Sequence, residues 1–196
     1  MKVGKIIGLY SPVPQSGKTT IAKELELNSD YNFQRVSCAD PIRELGVLLL
    51  EMLGHPQRIA VEMFHYNKET PMTSLGGHTP RHLLQTLGQE WGRTHIDENL
   101  WAKILEHKIF ELTQDGIDVV VDDIRYENEA DVIRKLGGKV VKVFRPSAIE
   151  SYKGDHGSEG NLEGAGKVDH VVYNGSTVDT AVGQVFELIG GVGGEW

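Results

Sequence analysis

Short β-rich apolar runs alternate along the chain with stretches whose apolar residues recur at helical spacing, the pattern of sheet strands joined by crossover helices. It predicts strands over 5–10, 33–38, 117–122, 139–144 and 170–173. Helices are predicted over 18–27, 41–53, 80–92, 100–114, 128–136 and 178–189. The expected fold is α/β: three layers, with a mostly parallel sheet of about five strands flanked by helices. Residues 1–190 read as one domain. Two segments break the alternation. Residues 54–79 carry Pro56, Pro71 and Gly76-Gly77 and, with the helix after them to residue 100, read as an arm over the sheet. Residues 146–168 collect Gly154, Gly157, Gly160, Gly164 and Gly166 and read as a lid-like loop. Residues 190–196 form a Gly-rich tail.

Between the first strand and first helix lies Ser11-Pro-Val-Pro-Gln15-Ser16-Gly17-Lys18-Thr19-Thr20. Such a loop cradles phosphates: backbone N–H groups at a helix start face the oxygens, a lysine neutralises β/γ-phosphates, and a hydroxyl serves Mg²⁺. Gln15, Ser16, Gly17, Lys18, Thr19 and Thr20 are the candidate nucleotide-binding residues. The pattern G-x-x-x-x-G-K-[ST] has Pro12 at its first glycine and Pro14 inside the loop. This is a variant phosphate loop, in which the prolines stiffen the rising half.

Bulk properties narrow the partners. The net charge of −8 argues against a general nucleic-acid or anionic-membrane surface, and no apolar run reaches spanning length. A small anionic substrate in a local basic pocket remains compatible. The one cysteine, Cys38, excludes an internal disulfide. Charged Lys2 and Lys5 follow Met1 in place of a secretory apolar core, so a cytoplasmic location is expected.

Further candidates gather at predicted strand ends, where ligands of open α/β sheets collect. Asp122-Asp123 closes the third strand; the two side chains face opposite ways, so one of them meets the phosphate loop. Arg125 follows, suited to grip a phosphate or to pair with Glu129. Asp40-Pro41-Ile42-Arg43 reads as an N-cap aspartate and N1 proline, with Asp40 near a sugar or base and Arg43 near a phosphate. Thr79-Pro80 starts a helix on which Arg81 and Gln85 project side by side. Gly88 continues that row and admits a close approach.

The order of these motifs resembles a phage-type deoxynucleoside monophosphate kinase, within the P-loop nucleoside monophosphate kinase group. The resemblance rests on Ala39-Asp-Pro-Ile-Arg43, on Pro80-Arg-His-Leu-Leu-Gln85 through Gly88 and Arg93, and on Asp123-Ile-Arg-Tyr-Glu-Asn-Glu129, with Arg145-Pro146, His156-Gly-Ser-Glu159 and Asn174-Gly-Ser176 in the family's order. It implies ATP and Mg²⁺ as cofactors, Thr19 and Asp123 rather than Asp122 as metal residues, and Lys18, Asp123 and Arg125 as the catalytic set. Arg81, Arg93 and Arg125 would surround the monophosphate; where relatives place a lid cation over the transferring phosphate, this chain departs, and Lys153 of the lid or Arg145 at the cofactor site would substitute. A homodimer is compatible with it.

The expected reaction is ATP-dependent phosphoryl transfer to a deoxynucleoside 5′-monophosphate, giving ADP and the diphosphate. Residues 147–167 contain no arginine, only Lys153 and Lys167. With the two loop prolines, this keeps two alternatives in view: a P-loop kinase for another acceptor such as dephospho-coenzyme A, and a nucleotide-binding regulator with little turnover.

Overall fold

The computed structural model describes residues 4–28, 32–152, 162 and 167–188, which form two compact units, Ala39–Ile104 and the remainder. The expected lid residue Lys153, most of the 146–168 loop and the 190–196 tail lie outside the described residues.

The larger unit is built on strands β1 (Ile6–Tyr10), β2 (Phe33–Val36), β3 (Asp118–Ile124), β4 (Lys139–Phe144) and β5 (His170–Tyr173). They form one parallel sheet in the order β2-β3-β1-β4-β5. Every residue of β1 is buried, as a central strand covered on both faces requires. Helices α1 (Lys18–Leu27) and, late in the chain, Val178–Leu188 cover one face. There Ile21, Leu25, Val182 and Val185 pack with Leu9, Phe33, Val120 and Val172. On the other face a Cβ at Gly8 would meet Ile133 of the helix Glu127–Lys135, which completes the three layers. The register between β1 and β3 shifts after Gly8↔Val121, so β3 runs two residues past the expected end and carries both Asp122 and Asp123.

The smaller unit contains α2 (Asp40–Met52), α3 (Gln57–His65) and α4 (Pro80–Gln85), the last continuing as a π-helix over Thr86–Ile96. The pattern reading missed α3, because only Ala60 and Phe64 of its nine residues are buried and Pro56 stands at its start. Phe64 fits onto α2 where Gly46 leaves room; a Cβ there would stand 2.6 Å from the ring. The two make a small core with Leu50, Ala60 and Met72. On its opposite side α2 exposes Leu45, Leu48, Leu49 and Met52.

The expected single helix over 80–92 changes pitch at residue 86, and the wider turns redirect its side chains. Gly88 faces inward, 3.2 Å from Ile42 measured from a built Cβ, and its carbonyl accepts the buried Trp101 indole N–H at 2.7 Å. Within this unit the close approach expected at Gly88 is made by Ile42 and the Trp101 indole. Gly92 lies flat on Trp101, where a Cβ would come within 2.5 Å of the ring. Gly92→Ala is expected to cost about 1–3 kcal/mol by overpacking, read as a lower urea midpoint; an unchanged midpoint contradicts this contact.

The remaining helices are α5 (Leu100–Gln114), which runs from one unit into the other, α6 (Glu127–Lys135), α7 (Pro146–Ser151) and α8 (Val178–Leu188). Residues 146–151, expected in the lid, thus open as a short helix with Pro146 in its first turn.

Candidate active site

The phosphate loop leaves β1 and reaches α1 through two left-handed residues, Gln15 at φ 58° and Gly17 at φ 96°. Pro12 and Pro14 precede that turn, and the N-terminal amides of α1 follow it. Lys18 is the first residue of α1, half-buried, with Thr19 and Thr20 exposed beside it. Ser16 is buried, and its Oγ has no hydrogen-bond partner among the described residues.

Two side chains from the β4–β5 side of the sheet hold the loop. Asn174, just after β5, donates its amide N–H to the Ser16 carbonyl at 2.8 Å in a buried bond. Arg145, at the end of β4, donates to the Gln15 carbonyl at 3.2 Å. Arg145 was expected at the cofactor site and lies against the loop itself. In the sequence, Asn174-Gly-Ser176 stands only as part of the family's motif order; its role as a loop support comes from a contact across 158 residues of chain. Gly17 is locked in turn, for a Cβ would stand 2.3 Å from the Asn174 amide. Gly17→Ala is expected to raise the KM for nucleotide at least about tenfold, through strain at positive φ and displacement of Asn174; initial-rate kinetics check it, and an unchanged KM contradicts it.

The two aspartates of β3 part company. Asp122 is 3% exposed; Arg35 donates to its Oδ2 at 3.0 Å, while Oδ1 is buried without a partner among the described residues. Burial, and then the charge of Asp123, push its carboxyl above the usual carboxylate range, opposed by Arg35 and by a hydrogen bond from the Thr19 side chain. Asp123 points elsewhere: its carboxylate accepts from Ser37 Oγ at 2.8 Å and from the Cys38 N–H at 2.7 Å. Asp123 was expected at the metal; the structure ties it to the turn after β2 and sets Asp122 against Thr19. The adjacent thiol of Cys38 is buried, which raises its pKa well above the ordinary value, with Glu129 and Asp123 adding to the effect.

Arg125 leaves the same strand end. Its backbone N–H and that of Tyr126 donate to Glu129 Oε2, at 2.9 and 3.1 Å, in a capping arrangement that fixes the start of α6. The buried Glu129 is thus used by the backbone, and the Arg125 guanidinium is exposed with no ion-pair partner among the described residues.

In the smaller unit, Asp40 was expected to cap α2. Ala39 occupies that position without a side-chain capping bond, and Asp40, inside the first turn, pairs with Arg43 at 2.6 Å. Thr79 does cap α4, its Oγ1 accepting the His82 N–H at 3.2 Å. Arg81 pairs with Glu69, Gln85 is exposed, and Arg93 donates to the Glu98 carbonyl at 3.3 Å.

A parallel sheet in this strand order, with a lysine-threonine helix start after β1 and a buried aspartate on β3, defines a P-loop NTPase fold. Solved structures agree on the fold. APS kinase CysC of Mycobacterium tuberculosis, in complex with AMPPNP and APS, aligns with a TM-score of 0.55 at 14% identity, over 96% of this chain and 99% of that one. A sugar kinase from Janibacter sp. aligns with a TM-score of 0.50 at 14% identity, over 95% and 94%. In sequence, residues 48–185 match the model of the deoxynucleotide monophosphate kinase family. An Acanthamoeba polyphaga mimivirus protein described as a deoxynucleotide monophosphate kinase is 30% identical over 187 residues, 89% of this chain and 91% of that one. The deoxynucleoside-5′-monophosphate kinase of Escherichia phage T5 is 32% identical over 126 residues, 61% of this chain and about half, 47%, of the T5 protein. The chain belongs to the deoxynucleotide monophosphate kinase family, and its enzymatic class is nucleotide kinase.

Proposed function

We propose that the protein transfers the γ-phosphoryl group of ATP to a deoxynucleoside 5′-monophosphate, giving ADP and the diphosphate. The observation that carries this reading is the pair of buried oxygens left without partners beside the phosphate loop, Ser16 Oγ and Asp122 Oδ1. Buried polar atoms are costly unless a ligand or water completes them. An aspartate oxygen next to a threonine at a lysine-led helix start suits Mg²⁺ with nucleotide phosphates, because Mg²⁺ binds through one or two protein oxygens, substrate phosphates and water. The residues fit that ion: Thr19 and Asp122, in place of the expected Asp123, would hold it, directly or through water. When bound, it would neutralise charge on the β- and γ-phosphates.

The chain's own part is positioning and charge. The α1 amides and Lys18 hold the donor phosphates, and Asn174 and Arg145 keep the loop in shape to receive them. Exposed Arg125 is suited to a bidentate grip on a phosphate. Arg81, Arg93, Arg43, Asp40 and Gln85 supply the acceptor's phosphate, sugar and base contacts in this reading. A monophosphate oxygen is already anionic and needs little help from a base, so in-line placement carries most of the rate. No helix among the described residues is long and apolar enough to cross a membrane. A cytoplasmic site of action belongs to the same proposal.

A panel of deoxynucleoside and ribonucleoside monophosphates plus dephospho-coenzyme A, each with MgATP and product chromatography, tests the acceptor. Diphosphates of one or more deoxynucleosides are expected; turnover only with dephospho-coenzyme A or a ribonucleotide overturns the acceptor assignment. A homodimer is part of the proposal as well. The apolar side chains exposed on α2 provide surface toward the roughly 800 Å² per partner that a stable contact buries. Sedimentation velocity at micromolar protein is expected to give twice the 21.7 kDa chain mass, and a monomer contradicts it.

A further inference from the structure

Arg35 is absent from every motif in the sequence, yet it is the side chain that holds Asp122. It stands on β2 opposite Val120 of β3, and period-two alternation puts Arg35, Val120 and Asp122 on the sheet face covered by α1. From there Nη1 reaches Asp122 Oδ2 at 3.0 Å. The other end of the contact is α1 again: the Arg35 N–H donates to Glu26 Oε1 at 3.1 Å, and Nε lies 3.7 Å from Glu26 Oε2. The helix that carries Thr19 in its first turn therefore carries, near its last, the acid that steadies Arg35. Arg35 itself is 31% exposed, whereas the Asp122 side chain is 4% exposed. The guanidinium thus enters from the protein's rim and meets a carboxylate that solvent barely touches.

We propose that Arg35 is a positioning residue for phosphoryl transfer: by engaging Oδ2, it fixes the Asp122 carboxylate and leaves Oδ1 as the oxygen that completes the Mg²⁺–nucleotide site beside Thr19. This rests on the kinase reading above. The competing role is structural, in which Arg35 only neutralises a buried acid and its loss is felt in stability alone. A partner that orients a metal-binding group is worth roughly 10–100-fold in metal affinity or activity.

The test uses the full chain and reads metal binding apart from turnover, by electron paramagnetic resonance titration of Mn²⁺ in the presence of AMPPNP. Arg35→Met keeps the apolar stem and removes the guanidinium. It is expected to weaken Mn²⁺ binding about tenfold or more and to lower kcat, with the KM for the acceptor unchanged. Arg35→Lys restores a cation and is expected to recover Mn²⁺ affinity to within about threefold of the parent chain. If Arg35→Met does not fold, Arg35→Gln takes its place in the same comparison. A folded variant that lacks the guanidinium, is less stable, and still binds Mn²⁺ and turns over like the parent overturns the inference and leaves the kinase reading intact. A parent chain that binds no Mn²⁺ with AMPPNP overturns both.

Discussion

Lys18→Ala is expected to lower kcat/KM for phosphoryl transfer about 10³-fold, close to 4 kcal/mol of transition-state stabilisation, comparable to the loss of one strong anion-stabilising donor. Lys18 opens α1 at the phosphate loop, and the α1 core contacts are made by Ile21, Ala22 and Leu25. Alanine is the best helix former, so stability should stay within about 1 kcal/mol of the parent. The loss is then assigned to catalysis by pairing steady-state kinetics with a urea unfolding curve. Less than a tenfold change in kcat/KM with the fold intact contradicts the role given to this lysine.

Asp122→Asn and Asp123→Asn are expected to fail in different ways, which makes the pair more informative than either alone. Asp122→Asn removes the charge beside Thr19 and should cost about 10²–10³ in kcat, with a raised Mg²⁺ requirement. It also leaves the Arg35 guanidinium without its carboxylate, so some stability is lost as well. Asp123→Asn disturbs the bonds from Ser37 Oγ and the Cys38 amide that close the turn after β2. The expected result is lower stability by about 1–2 kcal/mol and an Mg²⁺ dependence close to the parent's. Mg²⁺ titrations of the initial rate with both variants decide the matter. A greater Mg²⁺ defect in Asp123→Asn would return the metal role to Asp123.

The sequence was most legible where one physical signal dominates. Helices over 18–27 and 100–114 and strands over 139–144 and 170–173 have the observed limits, because apolar periodicity and flanking breakers coincide there. It was least legible where tertiary contacts override local pattern. The change to π-helical pitch at Thr86 depends on Trp101, whose indole binds the Gly88 carbonyl and whose ring fills the space left by Gly92. Helix α3 exists because Phe64 finds Gly46, a fit invisible within its own nine residues.

The same division runs through the site. Gly17, Lys18 and Thr19 announce a phosphate loop by local spacing, and Arg145 does reach that loop. That Asp122 and Asp123 meet different partners depends on the register shift in β3 and on the groups supplied by β2, and period-two alternation alone says only that the two diverge. Asn174 and Arg35 act across 158 and 87 residues of chain; Asn174 lies in a stretch that carries the family resemblance, but neither contact is legible from local spacing.

Phosphorus-31 nuclear magnetic resonance of the protein with MgATP and a deoxynucleoside monophosphate follows donor and acceptor in one tube. Transfer gives ADP and deoxynucleoside diphosphate in equal amounts, without inorganic phosphate, and Lys18→Ala slows the appearance of both about 10³-fold. Release of inorganic phosphate with no new diphosphate, or unchanged ATP with every deoxynucleotide tried, would contradict phosphoryl transfer to a deoxynucleotide.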